Sequence, residues 1–355
     1  MTHKIDRRTF LKAAGLAGLA LGESQLAGTS QAVPAAAARI LPLRRREIPG
    51  ARVAFVKTQD HAAGVRRALD LLDLNPVQGK RLFVKPNFNS AHAFPGSTHP
   101  AALRALIERL NAMGADGITL GDRSGMGVAH QIMQTMGVYQ MADELGFETL
   151  PFETLADSDW ELLQPEASHW QHGFAMARRI LEADGVVQTC CLKTHGYGGH
   201  ITLSLKNSVG MVAKTLPVGS RRYDFMDELH HSPDQRRMIA EINLAYEPDL
   251  IVLDGVQAFT TGGPHAGTLV DSQVILAGTD RVAIDAVGTA ILRYFGTTAE
   301  VRQGAIFENE QIARAVELGL GVDRPEKIEF VTGDAESAAY AEAIRAILLE
   351  PGMLP

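Results

Sequence analysis

The stretch GVVQTCCLKTHGYGGHITLSLKNSVGM spans residues 185–211, and its first part, GVVQTCC, is a largely apolar run typical of a buried strand. If the strand stays extended to its end, Cys191, Lys193 and His195 share one face, because strand side chains repeat every two residues. The HGYGGH turn that follows is rich in glycine, so its backbone can approach a ligand closely. These features predict a buried strand that ends at the wall of a ligand site.

Apolar runs and amphipathic stretches alternate on both sides of this strand. Further strands are predicted at 51–58, 80–88, 117–124, 249–256, 272–280 and 327–333. Helices are predicted at 61–74, 99–115 with Thr98 as N-cap, 128–146, 174–183, 233–248, 281–296, 306–321 and 337–350. This alternation predicts an α/β fold: a mostly parallel sheet with helices on both faces. The pattern weakens between 150 and 170, which indicates an inserted segment or a short antiparallel piece.

The N-terminal residues have the pattern of a twin-arginine export signal. The sequence RRTFLK (7–12) precedes an apolar run (13–22) that is shorter than the roughly 20 residues needed to span a bilayer. An alanine-rich end offers cleavage near Ala38. We therefore expect residues 1–38 to be a signal peptide that engages the Tat translocase; a basic amphipathic anchor is the alternative.

The remaining residues, 39–355, are predicted to form a single α/β domain with an inserted segment, located in the periplasm. Two subdomains around a cleft are the alternative organisation. Proteins exported by the twin-arginine route usually cross the membrane already folded, often because a cofactor is loaded in the cytoplasm. The route therefore favours a cofactor or a divalent metal without identifying one.

Charge and cysteine content exclude several classes of partner. The formal net charge is −7, and removal of residues 1–38 takes away four basic and two acidic residues, which leaves −9. This balance argues against nucleic acid or an anionic membrane surface as the main partner. The adjacent Cys190 and Cys191 point to opposite faces of a strand, so we expect two buried thiols and no disulfide. Two thiolates cannot hold an iron–sulfur cluster, and none is expected within this chain.

Polar side chains follow five of the predicted strands, where ligands bind in open α/β sheets. Lysine and histidine on one side of a site suit an anion or a proton-transfer pair. Aspartates suit a divalent cation, or orient a histidine. The candidates are Lys193, His195 and Lys206 for catalysis, Lys85, Asn87, Asn89, Asn207 and His200 for ligand binding, and Asp122, Asp254 and Asp280 for a metal. Strand ends also reach water, and simple solvent exposure is the alternative explanation of their polarity.

The sequence lacks the common nucleotide-binding signatures. It contains neither GxxxxGK[ST] nor a GxGxxG after a first strand. A positive segment begins at Lys214 and includes Arg221, Arg222, His230 and His231. It is either a mobile flap over the site or a solvated loop.

An ordered set of short motifs resembles one known family. The motifs are K-P-N at 85–87, T-x-P at 98–100, G-D at 121–122, K-T-H at 193–195, L-K-N at 205–207, D-G at 254–255, G-G-P-x-A-G at 262–267 and D-x-x-A-x-D-A at 280–286. Over about 51–295 the chain resembles the domain of unknown function 362 family. The resemblance implies an α/β domain whose activity is not established. Some relatives are fused to ferredoxin-like iron–sulfur modules, whose cysteines this chain lacks.

Three functions are compatible with these features. The first is an exported enzyme that acts on a small anionic substrate by isomerisation, transfer or hydrolysis. The second is a non-catalytic protein of the cell envelope that binds a metal or a cofactor. The third is an accessory subunit with a vestigial cleft. The first two need the same convergent polar groups, so sequence alone does not separate them.

Overall fold

In the computed structural model the described residues are 38–43 and 47–350. Within them the chain forms fifteen strands: β1 (Arg39–Leu41), β2 (Ala51–Lys57), β3 (Arg81–Lys85), β4 (Gly117–Asp122), β5 (Glu148–Pro151), β6 (Trp160–Pro165), β7 (Phe174–Ala177), β8 (Gly185–His195), β9 (His200–Thr202), β10 (Thr215–Val218), β11 (Arg221–Asp224), β12 (Pro248–Gly262), β13 (Gly267–Val270), β14 (Val274–Gly278) and β15 (Ile328–Val331).

The same residues form twelve α-helices, several of only one turn: α1 (His61–Leu72), α2 (Pro100–Ala112), α3 (Ala129–Thr135), α4 (Val138–Leu145), α5 (Arg178–Leu181), α6 (Ser204–Asn207), α7 (Phe225–His231), α8 (Gln235–Ile242), α9 (Arg281–Tyr294), α10 (Ala299–Arg302), α11 (Glu310–Glu317) and α12 (Ala335–Leu348).

Ten strands build the main sheet, whose order is β15-β2-β14-β12-β8-β3-β4-β5, with β13 paired to β12 and β9 paired to β8. The neighbours β12, β8, β3, β4 and β5 run parallel to one another. β14 runs antiparallel to both of its neighbours, β12 and β2. The predicted α/β fold with a mostly parallel sheet is confirmed, and β14 is its reversed strand.

The long strand β8 lies inside this sheet and is buried along its whole length. Its side chains alternate between two apolar cores, with Val186 in one core and Val187 in the other. A strand covered on both faces needs apolar residues on both, which explains the run GVVQTCC. The two cysteines are buried free thiols, as predicted.

Helices cover both faces of the sheet. On the face of Val187, Leu69 of α1 and Leu106 of α2 complete one core. On the face of Val186, Ile284 of α9 and residues of α12 complete the other. The carboxyl ends of β3, β4 and β8 therefore open at an edge that lies between two covered faces.

Two helix predictions were wrong in detail. The stretch 128–146 forms two helices, α3 and α4, separated at Gly137, whose backbone φ of 71° is left-handed and interrupts the helix. The stretch 174–183 begins as β7, because it pairs with β6, and becomes helical only in α5.

Thr98 is not the N-cap of α2. Its hydroxyl accepts a hydrogen bond from the Asn87 backbone N–H at 2.8 Å. The adjacent His99 takes the capping position, and its Nδ1 accepts the Ala101 N–H at 3.2 Å. The Thr98 hydroxyl thus connects the loop after β3 to the start of α2, and it does not cap the helix.

The weakened pattern between 150 and 170 includes part of a small separate sheet. β6 pairs in parallel with β1 and antiparallel with β7. A segment inserted after β5 is therefore present. Its strands are short, which explains why the sequence predicted no clear helix or long strand there.

The predicted signal peptide, residues 1–38, lies outside the described residues except for Ala38. Within the described ranges, none of the helices has the length and apolar character needed to cross a membrane.

Candidate functional site

A cavity of about 300 Å³ opens at the carboxyl ends of β3, β4 and β8. Its polar lining consists of Lys85, Asn87, Asn89, Asp122, Arg123, Lys193, His195, Thr202, Lys206, Asn207, Lys214 and His230. Its apolar lining includes Phe88, Met126, Tyr197, Val209, Met226 and Pro264. Five cationic side chains thus face one carboxylate, and the cavity has the size of a small-molecule site.

The carboxylate, Asp122 at the end of β4, is already paired. Its Oδ1 lies 2.9 Å from Lys85 Nζ at the end of the adjacent β3, and both side chains are buried. Its other oxygen, Oδ2, accepts the Phe88 backbone N–H at 2.8 Å. Burial lowers the pKa of Lys85, and the nearby carboxylate opposes that effect. Asp122 therefore neutralises one lysine. The other cations of the lining have no ion-pair partner among the described residues, although Asp224 acts on Arg123 and Lys214 at longer range.

Lys193 is fully buried on the cavity face of β8 and is held by neutral oxygens. Its Nζ donates to Asn87 Oδ1 at 3.0 Å and to the Gly96 carbonyl at 2.6 Å. Burial lowers its pKa to about 8. Since neither partner carries charge, the ammonium keeps a full positive charge available to an anion.

Asn207 joins the loop after β3 to the short helix α6. Its Nδ2 donates to the Lys85 carbonyl at 3.2 Å, and its Oδ1 accepts from Lys85 Nζ at 3.3 Å. The side chain is buried, so these contacts fix how α6 approaches β3. Asn207 therefore organises the cavity wall as well as lining it.

Lys206 precedes Asn207 and points into the cavity. Among the described residues its Nζ has neither a hydrogen-bond partner nor an ion-pair partner. Burial, together with the positive charges of Lys193 and Arg123, lowers its pKa to about 7. An amine with that pKa exists in both protonation states near neutral pH, so it can hold an anion or transfer a proton.

The position of Lys206 depends on a buried carboxyl group of α9. The Asp285 side chain accepts the backbone N–H groups of Ser204 and Leu205 at 2.8 and 3.1 Å. Those N–H groups belong to the first residues of α6 and lack partners within so short a helix. Burial raises the pKa of Asp285 to about 8.

Two histidines line the cavity in opposite tautomers. His195 Nδ1 accepts the Tyr197 N–H at 3.3 Å, which leaves the neutral ring with its proton on Nε2. His230 Nδ1 lies 2.6 Å from the Met226 carbonyl and must donate to it, which leaves Nε2 as an acceptor. Burial is the first cause that lowers the pKa of each imidazole, and Lys206 lowers both further. The cavity therefore holds one imidazole donor and one imidazole acceptor.

Two buried donors of the cavity have no partner in the structure. Arg123 is mostly buried, and its Nη2 donates to the Val209 carbonyl at 2.9 Å, whereas its Nε is unsatisfied. The Thr202 hydroxyl on β9 is buried and unsatisfied as well. Buried polar groups are almost always hydrogen-bonded, so these two atoms are exceptions, and both belong to residues that line the cavity. Burial also lowers the pKa of Arg123 to about 10.

The structure brings together eight of the eleven residues predicted for the site. Those that line the cavity are Lys85, Asn87, Asn89, Asp122, Lys193, His195, Lys206 and Asn207. Lys193 and His195 face the same side of β8, as the period of two requires. The sequence correctly grouped the residues that follow β3, β4 and β8.

Asp280 lies elsewhere, because β14 runs against its neighbours. Gly278 at the carboxyl end of β14 is level with Ile251 near the start of β12, so Asp280 is at the opposite edge of the sheet. There it caps α9 by accepting the Ala283 N–H at 2.9 Å. The assignment of Asp280 to the same site was wrong. It assumed that all the strands run parallel, so that their carboxyl ends meet at one edge of the sheet.

Asp254 is completely buried and has a different partner. Its Oδ2 lies 2.7 Å from His61 Nδ1 at the start of α1, and the His61 ring stacks on His99 at 3.7 Å between centroids. Asp254 is not part of the cavity lining. The predicted aspartate cluster of Asp122, Asp254 and Asp280 is therefore wrong, and within the described ranges no group of three or more potential metal ligands is assembled.

His200 also lies outside the cavity lining. It pairs with His195 across the β8–β9 hairpin and has a backbone φ of 58°. The charges that act on it are those of Arg236, Glu300 and Glu310. His195 therefore lines the cavity and His200 does not, although the two residues pair across the hairpin.

Four functional candidates were not assigned from sequence: Arg123, Thr202, Lys214 and His230. Arg123 directly follows Asp122, and its position after β4 was a usable signal. Lys214 and His230 belong to the positive segment, but their neighbours in it face outward, as Arg222 does in its ion pair with Asp157. Thr202 gave no signal, because a single threonine on a short strand is common.

The fold is that of a mostly parallel α/β protein, and a cavity rich in cationic side chains lies at the carboxyl ends of its central strands. Residues 82–290 match the family described as a domain of unknown function (DUF362), and the chain belongs to that family. The matched range contains all residues that line the cavity, among them those of β8 and α6.

Two individual proteins are similar to this chain. A thylakoid-associated protein of Synechocystis sp. is 25% identical over 255 residues, which cover 68% of this chain and 74% of the relative. The lactate racemase apoprotein of Thermoanaerobacterium thermosaccharolyticum superimposes with a TM-score of 0.40 at 11% identity, covering 88% of this chain and 96% of that structure.

Proposed function

We propose that this protein is an enzyme that binds a small organic anion in the cavity and performs acid–base chemistry on it. The observation that carries the proposal is the charge balance of the lining: five cations and one carboxylate, with that carboxylate already paired to Lys85. Lys193 is fully buried and has no ion-pair partner among the described residues, which is unfavourable, and an anion that enters the cavity relieves this cost.

The open donors support the same class of ligand. Arg123 Nε and the Thr202 hydroxyl are buried without partners, and Lys206 Nζ has none among the described residues. A carboxylate or phosphate oxygen accepts from groups of this kind in charge-assisted hydrogen bonds. An anion is therefore the ligand that satisfies the most groups at once.

Proton-transfer groups surround the place that such an anion would occupy. His230 presents an unprotonated Nε2, and His195 presents a protonated one. Lys206, with a pKa of about 7, can act in either direction. This combination supports an enzyme over a passive carrier, because binding alone requires cations but no acceptor such as His230 Nε2.

Binding is tested first by isothermal titration with phosphate, acetate and a panel of small carboxylates and phosphate monoesters. We expect saturable binding that Lys206→Met weakens by at least about tenfold, since a charged contact is worth about 1.5–3 kcal/mol. Lys57→Met is the matched control, because Lys57 is a surface lysine paired with the exposed Glu336. Equal affinities of the wild type and Lys206→Met would contradict the proposal.

Catalysis is tested separately by incubating the protein with the binding anions in deuterated water and following the ligand by NMR. We expect solvent-hydrogen exchange or conversion of at least one anion, lost in His230→Gln. Retained binding together with the absence of any exchange or conversion would reduce the function to that of an anion-binding protein.

We further propose that the protein acts after export, on the strength of the Arg7–Arg8 pattern. The test is fractionation of cells that express the full chain, with Arg7→Lys/Arg8→Lys as the matched variant. Mature protein outside the cytoplasm, and its loss in the variant, is the expected result. Equal distribution of both proteins would refute export by this route.

A further inference from the structure

The mouth of the cavity differs in chemistry from its floor. Met126 and Tyr197 both line the cavity and are 46% and 58% exposed. The buried part of the lining carries most of the charged groups, among them Lys85, Asp122 and Lys193. A ligand that fills the cavity therefore meets mainly charge at its inner end, whereas its outer end meets Met126 and Tyr197 beside the exposed Lys214 and His230.

The two apolar side chains stand on anchored loops. The Met126 N–H donates to the Asn89 carbonyl at 2.9 Å, which fixes the loop after β4 to the loop after β3. Tyr197 N–H donates to His195 Nδ1, and the two rings meet edge to face with centroids 5.7 Å apart. The rim is thus held in place by Asn89 and His195, which line the same cavity.

A third flexible apolar side chain connects rim and floor. Met226 lines the cavity, and its Sδ lies 3.1 Å from Arg123 Nη2. Methionine side chains adapt to irregular apolar shapes, and two of them beside a tyrosine suit a variable hydrocarbon group. A purely inorganic anion would bind the cations and leave all three side chains uncovered by the ligand.

We propose that the ligand is an amphiphilic anion: a carboxylate or phosphate head joined to an aliphatic or aromatic body that covers Met126 and Tyr197. This inference rests on the proposed anion site and adds the chemical class of the rest of the molecule. The head binds to the charged floor, and the body is removed from water between the two rim residues and Met226.

The test compares homologous ligands with one head group. Affinities are measured by isothermal titration for methyl, butyl and hexyl phosphate, and in parallel for acetate, butyrate and hexanoate. Burial of a methylene group corresponds to a gain of about threefold to fourfold in affinity. We expect a rise of this order with each added methylene until the rim is covered, and the stronger of the two series identifies the head group.

The matched variants separate the rim from the general surface. Met126→Ala/Tyr197→Ala should flatten the dependence of affinity on chain length, so that hexyl phosphate or hexanoate loses more affinity than methyl phosphate or acetate. Tyr294→Ala/Leu349→Ala removes two comparably exposed apolar residues, 49% and 46% exposed, that do not line the cavity, and should leave the dependence unchanged. Thermal unfolding of both double variants checks that the fold is intact.

The failure of this inference differs from the failure of the anion site. If the long and short ligands of both series bind equally well, the amphiphilic class is wrong and the anion site stands. If no member of either series binds, the anion site itself is wrong.

Discussion

Asp122 Oδ1 lies 2.9 Å from Lys85 Nζ, and this buried ion pair joins the ends of the adjacent parallel strands β4 and β3. The pair uses the carboxylate of the cavity lining and leaves Lys193 and Lys206 without an anionic partner in it. The net positive charge of the cavity therefore comes from the cations that Asp122 does not contact, such as Lys193 and Lys206.

Asp122→Asn should destabilise the fold by about 3 kcal/mol, because removing one partner of a buried ion pair leaves the other charge buried and unpaired. The measurement is urea unfolding near neutral pH. Asp157→Asn breaks the exposed pair with Arg222 and should have a clearly smaller effect. Equal losses in the two variants would show that the buried pair contributes no more than a surface pair.

Gly210→Ala should destabilise the same pair by crowding it. A β-carbon at Gly210 would lie 2.5 Å from Asp122 Oδ1 and 2.6 Å from Lys85 Nζ, and both groups are held by other contacts. We expect a loss of about 1–3 kcal/mol in unfolding free energy. Gly117→Ala is the control, since a β-carbon there would meet nothing within 4 Å; a similar loss in both variants would argue against crowding.

Lys206→Met should stabilise the free protein, most strongly at low pH. The pKa of Lys206 is lowered from 10.5 to about 7, so between these values the unfolded chain binds a proton that the folded chain does not. Folded stability therefore falls as the pH drops from 10.5 towards 7, and the full penalty is present below 7. Methionine removes that penalty.

The measurement is urea unfolding of both proteins at about pH 6 and about pH 9.5, where we expect the gain from Lys206→Met to be at least about 1 kcal/mol larger at the lower pH. A gain that is independent of pH would mean that the folded and unfolded chains protonate Lys206 alike. A loss of stability at the lower pH would mean that the ammonium has a stabilising partner.

Affinity for an anion should fall as the pH rises through the range 7–8. Lys206 and Lys193, with pKa values of about 7 and about 8, lose their charge in this range. A bound anion favours the protonated lysine, so binding should also take up protons from the buffer. Titration calorimetry in buffers of different ionisation enthalpy measures this uptake, and zero uptake across the range would contradict the assignment.

Asp285→Ala should weaken both the fold and the site, because it leaves the N–H groups of Ser204 and Leu205 without their acceptor. We expect a loss of about 1–3 kcal/mol in unfolding free energy and weaker anion binding through displacement of Lys206. Asp285→Asn keeps an acceptor oxygen for only one of the two N–H groups and is the comparison variant. Normal anion affinity in Asp285→Ala would show that α6 holds Lys206 without this support.

The same carboxyl group gives a pH dependence of stability. Burial raises the pKa of Asp285 from 3.8 to about 8, so the folded chain binds the extra proton between these values. Stability should fall as the pH rises through this range, and Asp285→Asn should remove that part of the slope. Unfolding curves of the two proteins across the range provide the comparison; parallel curves would contradict the raised pKa.

The sequence by itself determined the alternation of strands and helices, the burial of β8 and the face shared by Lys193 and His195. These features follow from local periodicity, which needs no knowledge of distant contacts. The sequence also placed Lys85, Asp122 and Lys206 in one site. This grouping is correct because β3, β4 and β8 are parallel neighbours, and α6, which carries Lys206, follows β8 in the chain.

Only the tertiary structure decided the direction of β14 and the partners of the aspartates. The sequence of a strand is compatible with either direction, and the reversal of β14 moved Asp280 to the far edge of the sheet. Contacts between residues far apart in the chain assigned Asp254 to His61 and Asp122 to Lys85. The same long-range packing left Lys206 without a partner among the described residues. Whether a charge is compensated depends on which side chains meet, and local sequence does not encode that.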